Sequence, residues 1–528
     1  MQHHSKNKLP PIYGEALYKE PFFSAYNILI WILMVLIACT YLMFLYTSYG
    51  SEVSKVFLNV DQAFFKSIVH SLEKHWSLFP ASLENISNIE VPYHHLDSQI
   101  KWLFTLFMPT TNSAFFVVNI LIYSFLGYSI YSLEIPNRFS ILLLLFAFSI
   151  LKLPTPDYIW QMLRLPLNFT MKSDIFHNSN TILAFAFLTF TWNKNFFIRL
   201  LIYSIAFYIK SPAAPAFFLI EIYLLFFSDP LKQKFLLKNK LTQFLLVILT
   251  FLMSYYFFFY SVTDCISSHM NPVSWITFRI RNDIAWLENG LLLYDIILFF
   301  LTLQFSMKSN NKFLIYYYYM LTGFLILYDS VGLIKINIEN VWQIEIFLRY
   351  AFLIIILHLN SKIQIEWFWN RLFNILIFSI LIFNCYVFFH FFGALLSKNY
   401  YRFSEYVDNS QLIEIVLPLT NENDVVAFNT VDSPIRKNKQ LQLSGIIKNP
   451  LWVSNLVYVS TCIKPKVAAD WELLKQALAG KKQFPVQIEW LILDKSKNNY
   501  NLKTICQEFS LIKETNTHIL LKTQLVPF

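Results

Sequence analysis

Val60-Asp61-Gln62-Ala63-Phe64-Phe65-Lys66-Ser67-Ile68-Val69-His70-Ser71-Leu72 is the stretch on which the reading of the whole chain turns. Phe64, Phe65, Ile68 and Leu72 recur at helical spacing, with Lys66, His70, Glu73 and Lys74 on the other face, so the stretch predicts a short amphipathic helix opened by Asp61. An acid suits a helix start, where it faces free N–H groups and the positive end of the dipole. The helix stands in a mixed loop, 47–101, which also holds His75-Trp76 and Pro92-Tyr93-His94-His95-Leu96-Asp97. Long apolar runs bound that loop on both sides. A helix of this kind between two such runs predicts one lying flat at a membrane surface.

Outward from this loop, apolar runs of about 15 to 25 residues recur along the chain, the length a helix needs to cross hydrocarbon. They fall at 24–46, 112–132, 139–153, 179–193, 196–209, 211–228, 241–262, 291–306, 313–330, 345–359 and 372–396, which makes about eleven spans. A further apolar piece, 102–108, reads either as re-entrant or as an extension of the second span. The chain of 528 residues is 56% hydrophobic and 14% charged, where a soluble domain has about 25% charged residues. That deficit excludes an ordinary soluble enzyme. Only helices and closed barrels satisfy their backbone in lipid, so the fold class is a polytopic α-helical membrane protein. The run 24–46 is too long for a signal-peptide core and lacks its cleavage site, and reads as an uncleaved anchor after a cytoplasmic segment, 1–23.

Nine glycines in 528 residues point to a rigid frame packed with Phe, Leu, Ile and Tyr, unlike the small-residue packing of alternating-access carriers. Of five cysteines, Cys39 and Cys385 fall inside spans. Cys462 and Cys506 are a pair that only suitable geometry would join, and no metal spacing occurs. The net charge of +9 is mostly loop lysine and calls for no nucleic acid. Lys6, Lys8, Lys19, Arg138, Lys194, Lys232, Lys234, Lys238, Lys240, Lys308, Lys312, Lys362 and Arg371 all fall on one side of the span pattern. Basic short loops mark the cytoplasm, so the N-terminus is expected inside, with loops 47–101 and 154–178 and the C-terminal region outside.

From 398 to 528 the composition becomes that of a soluble domain. Asp424-Val425-Val426-Ala427-Phe428-Asn429, Asn455-Leu456-Val457-Tyr458-Val459-Ser460 and Ile488-Glu489-Trp490-Leu491-Ile492-Leu493-Asp494 predict buried strands. A helix is expected over 470–478, stopped by Gly480, and two strands over 510–522. Strands alternating with helical stretches predict a small α/β cap, with no nucleotide-binding fingerprint in it.

Arg349, in Ile346-Phe347-Leu348-Arg349-Tyr350, stands one turn inside the span 345–359; an ionisable residue there is functional by default or paired with Glu345 or Asp329. Lys210 and the pair Arg279 and Arg281 are further cationic candidates, with lipid head groups as the plainer partner. Tyr93, His94, His95 and Asp97 are candidate substrate contacts. A divalent cation, Mg or Mn, is the only cofactor this group would admit, with Asp61, and its ligand spacing is irregular. His177 and Asp174 in the second outer loop offer sugar contacts and a second acid.

One span, then a loop carrying D-x-x-F-(H/F)-x-x-(I/L)-x-x-S-L from Asp61 to Leu72, then Tyr93-His94 ahead of the second span, resembles bacterial polytopic glycosyltransferases of the GT-C superfamily. Lys210-Ser211-Pro212-Ala213-Ala214-Pro215 and the cap strands are similar as well. Gln62 stands where that family places a second adjacent acid. The resemblance implies a bacterial inner-membrane enzyme that moves a sugar from a polyprenyl-phosphate carrier to a lipid, glycan or protein acceptor, with Asp61 as general base or acceptor-orienting acid; for that chemistry Asp174 is the candidate second acid and Arg349 the candidate phosphate ligand. A non-catalytic scaffold of the same layout, or a lipid or glycan flippase, are the alternatives.

Overall fold

The computed structural model describes residues 60–79, 95–133, 137–147, 179–226, 240–260, 338–361, 419–429, 448–452, 464–497 and 499–524, together with the single positions 28, 32, 35, 36, 135, 375, 378, 382, 385, 386 and 389. The N-terminal portion is helical: α1 (Val60–Lys74), α2 (His95–Thr105), α3 (Thr111–Tyr131), α4 (Asn137–Ala147), α5 (Ser179–Thr191), α6 (Phe196–Ser204), α7 (Ala206–Lys210), α8 (Ala214–Phe226), α9 (Lys240–Tyr255) and α10 (Ile338–Ser361). Thr110 caps α3, its hydroxyl accepting from Ser113 N at 3.1 Å; such a cap is worth about 1 kcal/mol. At 1.5 Å per residue, the 21 residues of α3 reach about 30 Å, the thickness of a bilayer core.

By length and composition, three described stretches suffice to cross a membrane: Thr111–Tyr131, Ala206–Leu225 and Lys240–Phe258. Helix α9 is arranged inside out. Leu241, Leu245, Leu249, Leu252 and Met253 are exposed, while Gln243 and Ser254 are buried. A helix on a soluble protein turns the opposite face to its core.

The helical core is aromatic and nearly free of glycine contacts. Helix α3 lies along α5, with Phe125 ring centroids 5.3 Å from both Phe187 and Phe190. Helix α10 packs on α8 and reaches α5, where Tyr350 lies 4.4 Å from Phe185 and its hydroxyl is 2.8 Å from Thr189 Oγ1. Two expected boundaries move. The span expected at 196–209 breaks at Ile205 into α6 and α7, and a 3₁₀ turn, Ser211–Ala213, leads into α8. Pro212 has no N–H for the carbonyl of Tyr208, so α7 ends at Lys210. The span expected at 345–359 starts earlier, at Ile338.

The cap is a four-stranded sheet of order β1-β2-β4-β3, with β1 (Val426–Phe428), β2 (Trp490–Asp494), β3 (Phe509–Glu514) and β4 (His518–Thr523). Strands β1 and β2 run parallel; the β2–β4 and β4–β3 pairs are antiparallel, with Leu491 opposite Leu521. Strand β2 is buried along its whole length, as its unbroken apolar run requires. Helices α11 (Lys464–Leu478) and α12 (Leu502–Glu508) cover it, with Val467, Leu474, Leu478 and Ile505 packed against Leu491 and Leu493. Helix α11 begins six residues before the expected 470, because Pro465 is tolerated in a first turn. Gly480 follows it with φ 74, and a Cβ there would lie 2.7 Å from Thr504 Oγ1. Cys506 is a free, exposed thiol, so the pairing considered with Cys462 does not form. The strand expected at 455–460 lies outside the described residues.

Candidate functional site: a buried polar network at the helix ends

Three helix ends meet in a polar network. Asp97 stands in the first turn of α2, where the helix dipole favours a carboxylate. One turn on, Lys101 donates to it at 2.7 Å, and both side chains are buried. Acid before base at this spacing is the favoured order on a helix. Ser179 opens α5 and donates to Asp97 at 3.0 and 3.1 Å, while accepting from Lys101 Nζ at 2.5 Å. The Lys101 ammonium also lies 4.7 Å from the Phe115 ring centroid. Burial pushes Lys101 below its ordinary range, against the pull of the Asp97 charge and hydrogen bond. The next residues of α5 continue the network. Lys210, at the end of α7 and 1% exposed, donates to Asn180 Oδ1 and Thr181 Oγ1, each at 3.0 Å.

Helix α1 corrects the surface reading made from its pattern. Lys66 and His70, expected on a wet face, are 4% and 3% exposed, as buried as Phe64 and Ile68. The polar side of α1 is covered as well, by the start of α3 and by the cap. Lys66 Nζ donates to Asn112 Oδ1, and Thr111 Oγ1 donates to Glu73 at 3.2 Å. Burial drives Lys66 down to about 7, and the Glu73 charge opposes this. From the cap, Lys448 pairs with Glu73 at 2.9 Å and lies 3.9 Å from Glu422, whose carbonyl accepts from Lys74. Burial lowers Lys448, but its hydrogen bond to Glu73 and the charges of Glu73 and Glu422 outweigh it and leave the ammonium above its ordinary value.

Of the residues singled out from sequence, Asp97 and Lys210 come together through Ser179 and Asn180. Arg349 is half-buried on α10, about three turns in rather than one, because that helix starts at Ile338. Asp61 is the second residue of α1 and His95 the first of α2; their side chains lie outside the description. Tyr93, His94, Asp174, His177, Arg279 and Arg281 also lie outside the described residues. Among the described residues no group of three His, Cys, Asp or Glu side chains is placed to hold a metal ion.

Sequence reasoning missed a second buried charge pair. Arg199 on α6 grips Glu221 on α8 with two bonds, Nε at 2.5 Å and Nη2 at 2.9 Å, and Tyr203 donates to the same carboxylate at 2.6 Å. Its Nη1 donates to the Lys194 carbonyl at 2.7 Å. Two opposite charges in neighbouring apolar runs were the signal, since charges at that depth pair. Every contact of this triad closes within the protein, which marks a strut. The network at α2, α5 and α7 differs from it: the Nδ2 of Asn180 and the Oγ of Ser98 are buried with no hydrogen-bond partner.

The chain matches no protein family, and no curated protein or solved structure is significantly similar to it.

Proposed function

We propose that this chain is a polytopic membrane glycosyltransferase of the GT-C kind, which moves a sugar from a polyprenyl-phosphate carrier to a lipid, glycan or protein acceptor at the outer face of a bacterial inner membrane. One observation carries the reading: Asp97, Lys101, Ser179, Asn180 and Lys210 are buried together at helix ends that the distribution of basic loops assigns to that face. Buried ionisable groups at membrane depth are expensive and are kept for function. The outward Leu face of α9 supports a lipid-facing frame.

In this scheme the acceptor hydroxyl attacks the anomeric carbon as the bond to the phosphate oxygen breaks. Asp61 takes the hydroxyl proton, and the phosphate leaves with the bonding electrons. Arg349, Lys210, Arg279 and Arg281 supply the positive charge that this leaving group needs. Asp174 is the second acid, and Tyr93, His94, His95 and His177 contact the sugar. Asp97, bonded to Lys101 and Ser179, positions both of them beside these contacts.

The test is Asp61→Asn in membrane vesicles supplied with radiolabelled polyprenyl-phosphate hexoses. Transfer should fall by about 10²- to 10⁴-fold, with thermal unfolding unchanged. Full turnover in the variant removes the mechanism, and labelled lipid crossing the bilayer without transfer replaces it with a flippase.

A further inference from the structure

The carboxamide of Asn180 is held one way round. Its Oδ1 accepts from Lys210 Nζ at 3.0 Å and from Thr181 Oγ1 at 3.3 Å. Turned over, it would set its own N–H donors against an ammonium. The Nδ2 therefore faces away from Lys210, on a residue with no exposed surface, and its two donors meet no acceptor. A buried donor left this way is costly. Proteins retain such a cost where something with acceptor oxygens binds.

A second unpartnered group stands nearby in the fold. Ser98 Oγ is also without a partner, on a residue 1% exposed. Ser98 and Asn180 each directly follow the residues joined by the Ser179–Asp97 hydrogen bonds. Both lie in first turns, of α2 and α5, so the positive ends of two helices come together there. Among the described residues, Asp97 is the carboxylate of this network; it is matched by Lys101 at 2.7 Å and presents little bare charge to an incoming anion.

We propose that Asn180 Nδ2 and Ser98 Oγ donate to the phosphate oxygens of a lipid-linked phosphate, bound where the first turns of α2 and α5 meet. Beyond the charge it brings to the phosphate, Lys210 has a positioning role in this arrangement: it fixes which way the Asn180 amide points. The assignment rests on the glycosyltransferase reading for the identity of the lipid, and on the two unpartnered groups for the place.

Asn180→Asp separates the two. The aspartate keeps an acceptor for Lys210 and replaces both donors with a carboxylate oxygen. The experiment measures binding of undecaprenyl phosphate, undecaprenol, phosphatidylglycerol and inorganic phosphate to the full chain in nanodiscs. Wild type should bind undecaprenyl phosphate and not undecaprenol. Asn180→Asp should weaken that binding at least about tenfold with no loss of thermal stability, and Ser98→Ala about fivefold. Lys210→Met should weaken it and Lys210→Arg restore it. Unchanged binding by Asn180→Asp means that the amide holds an ordered water only, which overturns the site and leaves the proposed function standing. Phosphatidylglycerol or inorganic phosphate bound in an Asn180-dependent way, with undecaprenyl phosphate ignored, keeps the site and overturns the carrier. No binding of any phosphate overturns the proposal.

Discussion

Lys66 is a buried cation on α1. Its ammonium is buried and its pKa is driven down to about 7, with Glu73 as the charge that opposes the shift. Because the native state binds this proton more weakly than the unfolded chain, the unfolded chain holds more protons between about pH 7 and 10.5, and native stability rises with pH across that window. Lys66→Met should therefore stabilise the protein most at or below pH 7, by on the order of 2 kcal/mol after allowing for the donor that Asn112 loses. The advantage should shrink as pH rises toward 10.5. Thermal unfolding of both proteins in one detergent from pH 6 to 10 checks this, and a difference that does not vary with pH sinks the assignment. Hydrophobic periodicity identified the helix and its apolar face, but it assumes water on the other side. Nothing in Lys66 announces that Asn112 at the start of α3 receives its ammonium, nor in Glu73 that Lys448 of the cap reaches it. Glu221 and Arg199 are the reverse case: two lone opposite charges in neighbouring apolar runs were a signal of their pairing, and the sequence reading passed over it.

Most element types could be read from periodicity, and most errors fall at their ends. Helix α1, the strands β2, β3 and β4, and the runs that became α3, α5 and α9 all lie where the pattern put them. The break at Ile205 and the early start of α10 left no such trace, since both are decided by packing between helices. The contact between α1 and the cap is equally invisible in sequence, joining residues far apart in the chain. It consists of Glu73 with Lys448, and of Lys74 with the Glu422 carbonyl. Lys448 is partly exposed, so the pair is worth at most about 1 kcal/mol in low salt. Lys448→Glu should speed amide hydrogen exchange in the last turn of α1 several-fold, leaving the cap sheet protected. The swap Glu73→Lys with Lys448→Glu should restore the slow rate, and high salt should erase the difference. Exchange that ignores both variants means that the ion pair does not hold the helix.

At the scale of the whole molecule, that same contact constrains topology more tightly than a count of spans does. Glu73 and Lys448 touch, so on the membrane reading proposed above the loop that carries α1 and the cap stand on one side of the bilayer. An even number of crossings must therefore separate them, whatever the boundaries of each run. The reading of about eleven spans has ten between these points, and losing or gaining a single one would put bonded groups on opposite sides of the bilayer. The parity is open to direct measurement. Cys506 is a free, exposed thiol on α12 of the cap, and His75 is exposed just beyond α1. In a background with the other cysteines removed, Cys506 and a His75→Cys variant should react with a membrane-impermeant maleimide under the same conditions. With the basic loops inside, both should react in intact spheroplasts. Reaction of both only after permeabilisation would keep the even count and the latch, but would put the site in the cytoplasm and end the case for transfer at the outer face. Reaction of one from each side would break the latch itself, because no bilayer can lie between partners 2.9 Å apart.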